Sequence, residues 1–490
     1  MARSNYHPSG HTIVVAMATV PTGPELLLDL EPRGPLRERV EGALRAAIRA
    51  GRVRPGDRLP ATRALASELG VSRWVVVEAY AQLTAEGWLE GRPGSGTRVR
   101  VRAAPPTPAR EPTPPGTPPR ARYDFTLGLP DVVAFPRTAW LRALQHAVRG
   151  APAAQLGHVD PAGLGALRVE LAAYLARVRG ASASPRHVVI TAGFTHGLGL
   201  ITRALHAQGH RTLAVEDPGF PLLDGFVRGG GLEPLPVPVD EQGLRVDALA
   251  RSGARAVVVT PAHQFPLGHV MSADRRGELL AWARRVQGLI VEDDYDAEFR
   301  YDRRPVGALQ GLDREHVIYA GTASKTLAPA LRLGWLLAPV RWRRAVAEVR
   351  LGVDLGVSAI DQLALAELLR SGALDRHLRR TRQRYVARRG ALLHALEREL
   401  PDARVMGIAA GLHAVVLLPA NTNEAALVTA AAQEQVAVTG LSALYTCAPP
   451  LGPGLVLGYA PLTESEITEG VRRFSKGVPA GAHRAAELSA

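Results

Sequence analysis

Eight prolines lie within the twenty residues from Ala103 to Arg122, and no other feature constrains the chain more. A segment of that composition favours extended polyproline II and has no apolar face to bury, so no packed core can run through it. At about 3.1 Å per residue it spans roughly 60 Å as a semi-stiff tether. The chain is therefore expected to fold as separate bodies: a module over residues 34–102, a linker over 103–122 and a larger body over 123–480. With 490 residues, 46% of them hydrophobic, the larger body can bury a sizeable core.

Cys447 is the only cysteine, which excludes disulfides within the chain and points to a reducing cytosol. No run of about 18 uninterrupted apolar residues occurs, so no membrane span is expected and a cytoplasmic location follows. Met1 to Val20 holds a short apolar patch without a cleavage-site pattern, and Met17 is an alternative start. The net charge of +13 suggests a polyanionic partner. No internal repeat is visible, and no metal site is expected.

Leu36, Val40, Leu44 and Ile48 recur every four residues, which predicts a helix with one apolar stripe, stopped at Gly51. Arg54-Pro55-Gly56-Asp57 is turn chemistry. Thr62 is expected to cap a short helix ending at Leu69-Gly70, and Ser72 to open a second that runs to about Glu86. Two helices joined through a glycine turn make a helix-turn-helix pattern. Trp88-Leu89 and Thr97-Arg98-Val99 flank Arg92-Pro93-Gly94-Ser95-Gly96, a hairpin with a glycine-rich tip, or wing. From Gly34 to Arg102 there are 13 arginines against 7 acidic residues, a net of +6. Arginine neutralises phosphates and can grip guanine edges with paired donors. On pattern alone, a merely solvated basic face is the alternative.

The runs Pro55 to Arg63, Leu69-Gly70-Val71-Ser72-Arg73, Ala85 to Leu89 and Gly94 to Thr97 resemble the GntR family of winged-helix repressors across the whole module. The resemblance implies double-stranded operator DNA as partner, with Arg63, Ser72 and Arg73 facing it. It also places the Gly94-Ser95-Gly96 wing in the minor groove. Trp74 departs from the family, which usually has a small polar residue there.

After the linker, apolar β-rich runs alternate with helical patterns: His187 to Thr191, Thr212 to Glu216, Ala256 to Thr260, Leu289 to Asp293, Val317 to Ala320 and Gly334 to Ala338. Near-continuous apolar strands separated by helices imply an α/β body with a mostly parallel sheet buried on both faces. Ligands gather at the carboxyl ends of such strands, where the polar residues of interest fall.

Only Lys325 and Lys476 among the 59 basic residues are lysine. Arginine replaces a solvated lysine at little cost, but it cannot become a neutral amine nucleophile. Lys476 sits in a loose-looking segment where no role is expected. Lys325, in Gly321-Thr322-Ala323-Ser324-Lys325-Thr326, follows an apolar strand and is either a surviving surface lysine or a Schiff-base lysine. Thr191-Ala192-Gly193-Phe194-Thr195 opens a helix after a strand, which makes an amide-lined cradle for a phosphate. Glu292-Asp293-Asp294-Tyr295 ends another strand, and Arg332 comes seven residues after Lys325. A cofactor attached through an imine needs an amine, an anion beside its pyridine nitrogen, a phosphate cradle and a group on its 3-hydroxyl oxygen. Each signal is common singly; all four occur here together.

In this order the residues resemble fold-type I pyridoxal-phosphate aminotransferases. That resemblance implies pyridoxal 5'-phosphate as cofactor, with Lys325 as the Schiff-base lysine and Asp293 on the pyridine nitrogen. Tyr295 would meet the 3-hydroxyl oxygen, and Thr322 and Arg332 the phosphate, with Gly193, Phe194 and Thr195 on the phosphate turn. Phe220 would stack on the ring, and His158 stands where a tyrosine usually reaches the partner's phosphate. Thr260 to Pro266 and Glu292 to Tyr301 resemble more closely the MocR subfamily of GntR regulators. In that subfamily a winged helix is joined by a linker to an aminotransferase-like domain in a head-to-tail homodimer.

Departures separate enzyme from sensor. Aminotransferases usually carry an arginine that clamps the substrate carboxylate, where this chain has Val456. Losing a charge-assisted bidentate contact removes about 1.5–3 kcal/mol of substrate binding. The asparagine that usually precedes a proline beside the cofactor is Phe265 here. The expected function is a transcriptional regulator that senses pyridoxal phosphate and controls vitamin B6 synthesis, with at most residual transamination. The alternatives are a regulator answering to an amine or amino acid through the same cofactor, and an active aminotransferase.

Overall fold

The structure, a computed structural model, describes residues 28–92, 96–100, 121–158, 160–301 and 306–478. Most of the expected linker, the expected wing-tip residues Gly94 and Ser95, and both candidate starts lie outside these. The described residues fall into two compact units, drawn from Met1–Pro118 and Pro119–Ala490.

In the N-terminal unit the stripe on α1 (Leu36–Arg49) buries Val40, Leu44 and Ile48, with Ala43 and Ala47 beside them. Leu36, at the first turn, stays exposed. Gly51 follows at φ 70°, a left-handed conformation that favours glycine and ends the helix. Helix α2 (Thr62–Leu69) ends at Gly70, φ 66°, which turns the chain into α3 (Arg73–Ala85). The N-cap of α2 is Ala61, not Thr62, and no side chain caps the helix. Thr62 instead occupies the first helical turn, where its hydroxyl meets Arg73 Nε at 3.4 Å. Strands β1 (Leu89–Arg92) and β2 (Gly96–Val99) pair antiparallel, Leu89 opposite Val99 and Arg92 opposite Gly96.

The C-terminal unit is built on an eight-stranded sheet. Its spatial order is Val188–Thr191, Gly334–Leu337, Val317–Thr322, Leu289–Asp294, Ala256–Val259, Thr212–Asp217, Glu233–Asp240 and Gly243–Leu244. The strands from Val317–Thr322 through Glu233–Asp240 run parallel. Gly334–Leu337 is antiparallel to both neighbours. All six expected strands are present, and the Glu233–Asp240 strand joins them.

Helices cover both faces, which is why the strands are apolar nearly throughout. The helix Phe194–Ala207 buries Leu198, Leu200, Ile201 and Leu205 against Val189, Val215, Val258, Val291 and Ile318. Each such side chain contributes roughly 1.5–3 kcal/mol on leaving water. A second, antiparallel sheet orders Arg404–Met406, His413–Leu417, Gly454–Gly458 and Thr439–Gly440. Lys476 lies in the short 3₁₀ turn Ser475–Gly477, 3.5 Å from Glu434. No helix of the described residues is long and apolar enough to cross a membrane.

Candidate functional site

Because the central strands run parallel, their carboxyl ends deliver polar side chains to one edge of the sheet. A cavity of about 470 Å³ lies there, lined by Phe194, Thr195, Phe220, Asp293, Tyr295, Thr322, Lys325 and Arg332 among others. Eight of the expected cofactor residues thus share one cavity. Gly193 borders it from the N-cap of the Phe194–Ala207 helix. His158 is exposed and is not among the lining residues.

Lys325 is half-buried, and its Nζ donates to the Gly128 carbonyl at 2.5 Å. Burial pushes its amine below the usual lysine range, although Asp296 and Asp293 pull it back up. The residue therefore becomes a neutral nucleophile at lower pH than an ordinary lysine. Asp293 reaches in from the neighbouring strand, where Ala320 stands opposite it. Burial, and then the Asp294 charge, push its carboxyl well above the usual range; Lys325 opposes this. Its Oδ1 is buried without a hydrogen-bond partner among the described residues. Such an acceptor costs free energy unless something supplies a donor, and a protonated ring nitrogen is a donor and a cation together.

The other end of the cavity suits an anion. Gly193, at φ 89°, lets the backbone turn into the helix N-terminus, where free amides and the helix dipole favour negative charge. A Cβ at Gly193 would meet the Arg332 guanidinium at 3.3 Å, a tight contact to which the arginine end would have to give, and the positive φ is what favours glycine here. Arg332 Nη2 donates to the Ala192 carbonyl and lies 3.5 Å from Thr195 Oγ1. Thr322 Oγ1 donates to Ser324 Oγ at 2.9 Å.

Phe220 meets Phe265 edge-on, with centroids 6.1 Å apart. Tyr295 Oη donates to the His263 carbonyl at 3.1 Å and lies 3.1 Å from His263 Nδ1, which in turn meets Asp296 at 2.9 Å. The phenol proton is thus engaged, while the oxygen keeps acceptor capacity toward the cavity. Val456 is buried opposite Val415, in an apolar cluster packed by Leu127 and Phe265, both of which line the cavity. Lys325 and Arg332 are the only lysine and arginine among the described lining residues.

Three lining residues went unread in the sequence. Gly128 brings its carbonyl to Lys325, at φ 101°; the only signal was a glycine in Gly128-Leu129-Pro130. His413 is buried, which lowers its imidazole to about 4 and keeps it neutral; a lone histidine in an apolar strand gives no warning. Glu216 is buried, which pushes its carboxyl up to about 7. Its Oε2 accepts from Thr260 Oγ1 at 2.5 Å, and its Oε1 has no hydrogen-bond partner among the described residues.

In the N-terminal unit, Arg63, Ser72 and Arg73 are all exposed near the starts of α2 and α3. Ser72 is the N-cap of α3 but makes no side-chain capping bond. Gly96, at φ 82°, lies under the Arg58 guanidinium.

Residues 131–474 match the family model for aminotransferase class I and II, and residues 36–99 match that for bacterial regulatory proteins of the gntR family. The fold resembles the α-aminoadipate aminotransferase of Thermus thermophilus, complexed with N-(5'-phosphopyridoxyl)-L-leucine: TM-score 0.65, 27% identity, 72% of this chain and 91% of that one. It also resembles the kynurenine aminotransferase of Pyrococcus horikoshii, complexed with PMP: TM-score 0.66, 26% identity, 75% and 92%. The chain is therefore a GntR-type helix-turn-helix joined to a fold-type I aminotransferase domain.

The HTH-type pyridoxine biosynthesis transcriptional regulator PdxR of Corynebacterium glutamicum is 34% identical over 461 residues, 93% of this chain and 99% of the relative. The probable rhizopine catabolism regulatory protein MocR of Rhizobium meliloti is 33% identical over 466 residues, 91% and 94%. The chain belongs to the MocR subfamily of GntR-family transcriptional regulators.

Proposed function

We propose that this regulator binds operator DNA through its N-terminal unit and carries pyridoxal 5'-phosphate in the cavity of its C-terminal unit. It senses that compound and controls genes of vitamin B6 synthesis. The observation that carries the proposal is the convergence on one cavity of Lys325, of Asp293, whose Oδ1 lacks a hydrogen-bond partner among the described residues, and of Arg332 beside Gly193. The name of the Corynebacterium relative supports the physiological part.

When bound, the cofactor supplies an aldehyde that condenses reversibly with amines and a ring that withdraws electrons. Lys325, held toward its neutral form by burial, is the amine that attaches it. Asp293 satisfies its lone acceptor on the ring nitrogen. Arg332, Thr195 and the amides after Gly193 hold the phosphate, with Thr322 beside them. Phe220 covers the ring, and Tyr295 meets the 3-hydroxyl oxygen. With Lys325 and Arg332 so engaged, neither remains for a substrate carboxylate, and Val456 leaves an apolar wall. That favours sensing over turnover.

The protein acts as a head-to-tail homodimer with a tethered winged helix on each chain. Cofactor binding shifts DNA affinity only to the extent that it favours one arrangement of the heads over another. The test is footprinting of the purified protein on DNA flanking its own gene, with and without pyridoxal phosphate. Protection that changes with the cofactor is expected. Protection indifferent to it would transfer the sensing role to an amine effector, and steady-state turnover of an amino acid with a keto acid would restore the enzyme.

A further inference from the structure

Helix α3 is apolar on two sides, and only one of them is packed. Val75, Val76, Ala79, Tyr80 and Leu83 are buried in the core of the N-terminal unit. On the other side Trp74, Val77 and Ala81 stand at i, i+3 and i+7, so they share a face. All three are exposed, Trp74 by 66% and Val77 by 38%. A single exposed apolar residue needs no explanation. A tryptophan in the first turn of a helix-turn-helix's second helix, with a valine one turn along, does, because that helix enters the major groove N-terminus first.

The surroundings indicate what covers this face. Arg63 and Arg73 are exposed at the starts of the two helices, and Arg54 and Arg58 are exposed in the loop before them. Glu86, at the far end of α3, is paired with Arg45 at 2.6 Å. The stripe is bordered by the exposed arginines at the N-terminal end of α3 and by the partly exposed Glu78 at i+4 from Trp74. An apolar stripe with cations at its leading end complements a polyanion whose recessed surface carries apolar groups. The major groove is such a surface, and its one apolar base feature is the thymine 5-methyl group.

We propose that Trp74 and Val77 read thymine 5-methyl groups in the major groove of the operator, while the flanking arginines contact phosphates. This rests on the reading of the N-terminal unit as DNA-binding. Sequence preference then comes from methyl burial on the indole and valine, and affinity from the arginines. A protein seated on the same face is the other possible occupant, and it predicts no response to a base methyl.

The full-length protein would be used to select duplexes from a random library, and thymines in the enriched sequence replaced singly by 2'-deoxyuridine, which deletes only the methyl. At one or two positions per half-site affinity should fall about four-fold, the effect of exposing one methyl-sized group. In Trp74→Ala the same replacements should matter less than about two-fold. That variant should also bind the thymine duplex more weakly with an unchanged salt dependence, because its phosphate contacts remain. Trp74 is exposed, so the variant should keep the wild-type unfolding midpoint. Enriched duplexes that tolerate uracil everywhere, or a uracil effect equally large in Trp74→Ala, would overturn the inference alone. Failure to enrich any duplex would overturn the DNA-binding reading with it.

Discussion

The two units use charge in opposite ways. In the N-terminal unit Arg54, Arg58, Arg63 and Arg73 stand in solvent, and Glu41 is the only buried charged side chain among its described residues. In the C-terminal unit charge is carried inside. Arg179 meets Asp294 at 2.6 Å with both side chains almost wholly buried, and Tyr319 donates to the same carboxylate at 2.7 Å. Arg350 is fully buried against Asp354 and two backbone carbonyls, and Glu292 accepts from the amides of Leu309 and Gln310. Exposed charges address a distant partner and are screened by salt. Buried ones must be satisfied where they stand, so they fix geometry. Asp293 Oδ1 is buried without a hydrogen-bond partner among the described residues, as are Arg179 Nη2, Asp294 Oδ1 and Glu216 Oε1, and of these only Asp293 and Glu216 line the cavity.

The contrast can be broken most sharply at the site. Lys325→Ala should abolish the visible absorbance that reports covalent attachment of pyridoxal phosphate, with the unfolding midpoint nearly unchanged; absorbance that persists would remove Lys325 as the attachment point. Next in size is Arg179→Ala, which strands Asp294 in the interior and should destabilise the C-terminal unit by about 3–5 kcal/mol in denaturant unfolding. A loss under about 1 kcal/mol would mean the buried pair is dispensable.

Salt separates the two units directly. If six phosphates are contacted, raising salt from about 50 to 200 mM should weaken DNA binding about 10³-fold. Cofactor binding, held by buried groups, should move far less. Equal sensitivity would erase the distinction.

The smallest expected effect is at Glu216. Its folded carboxyl is raised to about 7 from 4.5 in the unfolded chain, so the folded state holds a proton the unfolded state has released. Its stabilisation is complete below about pH 4.5 and is lost as pH rises to about 7. Glu216→Gln cannot lose it, so the variant should gain about 1–3 kcal/mol relative to wild type over that interval. Contributions from Glu292 and Glu298, raised in the same direction, cancel in the difference. Parallel pH profiles would place the Glu216 titration outside that window.

Much of this was legible in the sequence, for reasons particular to it. The central strands are near-continuous apolar runs because both sheet faces are covered, and Lys325 stood out because arginine had replaced almost every other lysine. The Glu233–Asp240 strand was not legible. Pro234, Pro236 and Pro238 argue against a strand, yet they recur every second residue, so their missing N–H groups fall on one side. The strand pairs along its length with Thr212–Asp217 and on its other side meets only Gly243–Leu244, so that side tolerates proline. Gly128 and His413 could not be found because they arrive from segments distant in sequence and carry common residue types. Thr62 was misplaced by one position, because a helix can begin at Ala61 without a side-chain cap.

The central claim is that occupancy at Lys325 alters DNA affinity. Its most direct test is the dissociation constant for one footprinted duplex, measured with and without pyridoxal phosphate in wild type and in Lys325→Ala. The account predicts that the cofactor shifts affinity in wild type and leaves Lys325→Ala unmoved. An equal shift in both proteins, or none in either, would contradict it.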